Sequence, residues 1–378
     1  MLAMACTMSD PSATSSERAA TATQALFARA ADADVQARRA LRHSIDDALL
    51  PEDERLDDRT RAALGALLDT LTGTLEGELR EYAARLLTTR GEPALAALLR
   101  TDAAPVIDRL TGAGLLRDDQ FMSECLARVR LELLGEALPL LGGREADGAS
   151  LLARLALSSD RVVATAAGTL MTAESVRRDT AEGRAASGTG LPRALHARLL
   201  WWVAAVLRER AIPLAGDRID ALDRALAEAA LRNLSAQDDA ATLETVATRL
   251  AAAIDAQSDE LAALIEEALY DRRLPLIAAL IAHAFGFSYQ LARELLIDPR
   301  AERLWLALRA LDLPRDLIAR LGYALCEADP RRDVEAFADQ IDLIVAVDAA
   351  AARAAVAPLT LHPDYRAALL ALADGTTQ

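Results

Sequence analysis

A pattern that repeats at a distance of 26 positions restricts this chain more than any other feature. The run LPLIAALIAHAFGFSYQLARELL starts at Leu274, and AERLWLALRALDLPRDLIARL follows from Ala301. Moving 26 positions carries Leu280 to Leu306, Ala284 to Ala310, Phe285 to Leu311, Phe287 to Leu313, Leu291 to Leu317 and Leu295 to Leu321. Each unit reads as two short amphipathic helices around a tight turn. The turn ends at Ser288 or Pro314, residue types that start helices. A repeat of this kind is the mark of stacked helical hairpins, which bury a continuous core only by packing on their neighbours.

The rest of the composition agrees. Hydrophobic residues make up 52% of the 378 and aromatics only 3%, so the core must be aliphatic. Leu and Ala favour helices, whereas the residue types that favour strands are scarce. The expected class is all-α: stacked antiparallel hairpins, a HEAT-like α-solenoid, in two lobes. At this length roughly three quarters of the unfolded surface can be buried.

The chemistry open to the chain is narrowed by what it lacks. All 42 basic residues are Arg, and Asn occurs once, at Asn233. Without Lys there is no P-loop lysine and no Schiff base. No GxSxG, HExxH, GxGxxG or GxxxxGK[ST] pattern occurs. A net charge of -15 opposes nucleic acid and anionic membrane surfaces. Cys6, Cys125 and Cys326 are too scattered for a disulfide framework, and His43, His196, His283 and His362 have no second ligand at metal spacing. No apolar run is long enough to span a membrane. LeuAlaMetAlaCys at 2–6 lacks the leader of a lipoprotein. The expectation is a cytoplasmic protein with no catalytic residue, cofactor or metal.

Residues 1–16 read as a disordered tail and 17–179 as an N-terminal lobe. The glycines at 183, 188 and 190 make 180–190 a linker, and 191–378 form a C-terminal lobe. Within the first lobe a helix is expected over 57–87, short helices at 93–100 and 105–111, and another opened by Asp118. In the second, Asp298 before Pro299 and Asp329 before Pro330 are expected to open helices, and Ser235 with Asp238 has capping-box spacing. A second echo, at 170 positions, aligns Leu95, Leu99, Val106, Leu110, Asp118 and Phe121 with Ile265, Leu269, Leu276, Leu280, Ser288 and Leu291.

The segment LEGELREYAARLL at 75–87, with Asp102, Val106, Leu110, Leu115, Leu116, Asp118 and Phe121, resembles an uncharacterised bacterial family of all-helical domains with HEAT-like hairpins. The resemblance extends over roughly 25–325 and includes a Glu paired with an Arg four residues on, here Glu76 with Arg80. Pro105 and the length of the glycine-rich linker depart from the pattern. The family brings no activity and hence no catalytic residue.

The most distinctive local feature is the tandem Trp201 and Trp202. Neighbours on a helix point about 100° apart, so one can fill a core while the other joins a partner surface with Arg193, Arg198 and Arg208. The leading expectation is a non-catalytic scaffold that binds another protein or a second copy of itself. A small-molecule or lipid module with its ligand between the lobes near the linker is the alternative, and an enzyme on the same frame is a third.

Overall fold

The structure is a computed structural model that describes residues 55–101, 104–140, 149–181 and 188–362, and parts of 364–372. The expected tail, the helical pattern of 17–50, Cys6 and His43 lie outside the described residues. Residues 58–378 form one compact unit. Among its described residues there are sixteen α-helices and no strand.

The helices are α1 (Asp58–Thr89), α2 (Pro93–Arg100), α3 (Val106–Gly112), α4 (Asp119–Ala137), α5 (Leu151–Ala156), α6 (Arg161–Ala181), α7 (Arg193–Ala215) and α8 (Ile219–Ala236). They continue with α9 (Leu243–Ile254), α10 (Ser258–Tyr270), α11 (Leu274–Phe285), α12 (Tyr289–Ile297), α13 (Glu302–Ala310), α14 (Arg315–Ala328), α15 (Val334–Ala346) and α16 (Ala349–Val356).

The caps reproduce both echoes in the sequence. Between α11 and α12 the chain turns through Gly286 at φ 71°, and between α13 and α14 through Asp312 at φ 55°. This left-handed backbone is natural for glycine and tolerated by Asp. Phe287 and Leu313 plug the two turns, and the next helix starts after Ser288 in one and Pro314 in the other. At the longer offset, the Asp118 side chain accepts from the Phe121 amide while the Ser288 hydroxyl accepts from the Leu291 amide.

Two expected starts are corrected. Asp298 closes α12, and its carboxylate accepts from the Arg300 amide; α13 begins only after Ala301. Asp329 likewise holds a turn, and the cap of α15 is Asp333, which accepts from the amides of Glu335 and Ala336. A carboxylate ahead of proline can close a turn as well as open a helix. Ser235 donates back to the Arg232 carbonyl, and Thr242 caps α9.

The apolar residues form two cores, and they do not divide at 180–190. The first gathers α1 to α3, one face of α4, and α7 with α8. The second gathers another face of α4, then α5, α6 and α9 to α16. The chain therefore crosses between cores after α4 and again on either side of α7 and α8. The reason lies in three stripes on α4. Phe121, Cys125 and Val129 enter the first core, Ala127, Leu131 and Leu134 enter the second, and Glu124, Arg128 and Glu132 run along the seam.

Close approach elsewhere is exacting. A Cβ on Gly322 in α14 would stand 2.0 Å from the ring of Phe337, which itself leans on Trp305. No described helix is by itself long and apolar enough to cross a membrane.

Candidate functional site

Where the two cores meet beside residues 188–190, the fold leaves a cleft of about 820 Å³. One wall is the small-residue face of α6, with Thr165, Gly168, Thr169, Thr172 and Ala173 in helical register. The opposite wall is the end of α8 and the start of α9, from Asn233 to Glu244. The small residues from Thr165 to Ala173 on α6 leave this space open.

A directed chain of hydrogen bonds forms the floor. The Leu191 amide donates to the Thr189 hydroxyl at 3.3 Å, Thr189 Oγ1 lies 2.7 Å from His196 Nδ1, and His196 Nε2 lies 2.7 Å from Asn233 Oδ1. Asn233 Nδ2 then donates to Glu78. A carboxylate only accepts, so the Asn233 amide points its nitrogen at Glu78 and its oxygen at His196. His196 must therefore carry its proton on Nε2 and accept from Thr189 at Nδ1. Both ring nitrogens are committed. Gly188 and Gly190, at φ 82° and 63°, give Thr189 the backbone that turns its hydroxyl to His196 and its carbonyl to Arg128, which donates from Nη1 at 2.9 Å.

Burial pushes His196 below the ordinary imidazole value of 6.5, and the Arg193 charge adds to this; the Asn233 hydrogen bond, Glu78 and Asp239 oppose it. A depressed histidine leaves the unfolded chain holding more protons, so its contribution to stability is complete above 6.5 and is lost as pH falls below that value. In urea unfolding between pH 7.5 and 5, wild type should lose stability more steeply than His196→Gln. Parallel profiles would show that His196 does not titrate as a buried neutral group.

Behind the floor lies a buried ionic cluster. Arg177 Nε contacts Glu132 at 2.5 Å and Nη1 contacts Glu244 at 3.1 Å. Burial opposes the Arg177 charge, but the two carboxylates hold it above the ordinary arginine range. Burial and then Arg177 pull Arg128 the other way. Deeper still, Arg293 grips Glu124 with two bonds of 2.9 and 2.7 Å.

The residues expected to form a partner surface lie apart from the cleft lining. Trp202 is half-buried and meets Phe121 edge to face at 5.7 Å, while Trp201 is 41% exposed. Arg198 pairs with Asp118 and Arg208 with Asp223, and Arg193 is exposed at the start of α7. His283 pairs with Asp255, and His362 is exposed. Among the described residues no group of three or more His, Cys, Asp or Glu is gathered as if around a metal ion. Cys125 is buried, its thiol pushed up to about 12 by desolvation, and takes no part in the cleft.

Two aliphatic cores that share α4 and leave a cleft at their seam make this an all-helical protein among its described residues. Residues 171–357 match the family described as an uncharacterised protein conserved in bacteria, DUF2336. The matched span takes in the end of α6 and α7 to α16, and with them most of the cleft; Glu78, Arg128 and the first part of the α6 wall precede it. It also begins after the segments at 75–87 and 102–121 on which the sequence resemblance rested. No curated protein and no solved structure matches the chain.

Proposed function

We propose that this chain is a small-molecule-binding module built on HEAT-like stacked hairpins. The observation that carries the reading is the cleft of about 820 Å³ between the two cores. It falls within the roughly 300–1,000 Å³ of small-molecule sites and joins a small-residue wall to a few fixed polar groups. Binding is supported over catalysis because His196, the one imidazole at the cleft among the described residues, spends both nitrogens on Thr189 and Asn233. The HEAT-like reading is supported by the matched caps and turns of α11–α12 and α13–α14.

Gly168 supplies the test. A Cβ added there meets nothing within 4 Å, and a longer side chain would project from the cleft wall. Leucine also suits a helix interior better than glycine. Native mass spectrometry of the full chain should show a retained small molecule, or thermal shift a hit from a metabolite panel, and Gly168→Leu should lose it without lower stability. A clean apo mass with no shift across the panel would sink the reading.

A second reading is a scaffold for a protein partner, for which Trp201 is the supporting observation. An exposed tryptophan beside a half-buried one is a suitable anchor for a second copy of the chain. Sedimentation velocity should then show an oligomer that Trp201→Glu dissociates. A wild-type monomer at all concentrations removes self-association through α7.

A further inference from the structure

We infer that the ligand of this cleft carries a single carboxylate, seated on Arg128, on a body that also offers hydrogen-bond donors; this rests on the binding reading above. Arg128 lines the cleft at 7% exposure. Of its nitrogens, only Nη1 makes a hydrogen bond, to Thr189. Nε is buried without one. Its ion partner Glu132 stands 3.5 Å away and lies nearer, at 2.5 Å, to Arg177. Two arginines thus share two glutamates, and Arg177 takes the shorter contacts. A buried guanidinium with one hydrogen bond and a loose 3.5 Å ion pair is the deficit that an anionic oxygen corrects, and a carboxylate supplies that oxygen.

The other groups fix the charge and the body. Glu78, Asp238 and Glu244 line the same cleft, so a second negative charge on the ligand would face repulsion. Thr169 and Thr172 donate their hydroxyls within α6, to Thr165 at 2.8 Å and Gly168 at 3.0 Å. What they present to the cleft is lone pairs, which call for hydroxyl or amide hydrogens on the ligand.

The experiment uses the full chain and calorimetric titration with 2-hydroxy monocarboxylates from lactate to mandelate, each beside its neutral primary amide, with inorganic phosphate as a third arm. At least one carboxylate should bind about tenfold or more tighter than its amide, as a charge-assisted bond requires. Arg128→Gln should erase that preference, and Gly168→Leu should erase binding of both. The carboxylate-to-amide ratio in wild type needs no variant, so a poorly folded Arg128→Gln does not spoil the test. Amides binding as well as acids, with Gly168→Leu blocking both, would overturn the carboxylate and leave the binding reading intact. Phosphate binding as tightly as the best acid, in an Arg128-dependent way, would overturn the monocarboxylate assignment. No binding by any arm, with wild type and Gly168→Leu alike, would overturn both.

Discussion

Replacing Arg293 by methionine is expected to cost about 3–5 kcal/mol of folding stability, because it would strand a buried carboxylate. Arg293 is 3% exposed on α12 and holds Glu124 of α4 through both terminal guanidinium nitrogens. The Glu124 side chain is itself only 12% exposed, so water cannot replace the lost partner. Methionine keeps much of the volume, which leaves the charge as the main change. The double variant Glu124→Leu with Arg293→Met should recover most of the loss, since an apolar pair of similar size avoids desolvation altogether. Urea midpoints at constant slope would read both effects. A single-variant cost under about 1 kcal/mol would mean that the pair is solvated and that α4 does not carry a dry ionic seam.

That seam is also where sequence reading reached its limit. An aliphatic, Lys-free composition was enough for an all-α chain, and local chemistry was enough for the turns at Gly286 and Asp312 and for the Asp118 cap. Such features depend on residues within a turn of one another. The division into cores does not. Arg128 meets Thr189 across 61 positions and Arg293 meets Glu124 across 169, and nothing in a local window reveals that α7 and α8 return to the first core.

Two signals for the cleft were nevertheless present. Glu124, Arg128 and Glu132 recur at four-residue spacing along this helix, a stripe that reads as a solvated face unless apolar residues flank it on both sides, as they do here. Asn233 is the chain's single asparagine, and it bridges His196 to Glu78. A residue kept once against the compositional trend was a better pointer than the tandem tryptophans. Those drew notice through size, and one of them is accounted for by packing on Phe121.

Arg177→Met should be as costly as the Arg293 change, about 3–5 kcal/mol at neutral pH, but with a different dependence on acid. Arg177 alone touches both Glu132 on α4 and Glu244 on α9. Without it Arg128 is left as the cation beside two carboxylates. In wild type, burial raises Glu244, but Arg177 with a backbone hydrogen bond and Arg128 together more than offset this, so its folded pKa is lowered from 4.5. Its contribution is therefore present above 4.5 and is lost as pH falls through the lowered value. In the variant, burial is no longer offset by Arg177 and the group shifts upward, so the folded state is penalised at neutral pH and relieved as Glu244 takes up a proton. The gap between wild type and variant should narrow as pH drops from 7 towards 4.5. Denaturant unfolding at several pH values reads this directly. A gap of constant size would place the loss in packing, and Glu244 would then not be a buried charge held by Arg177.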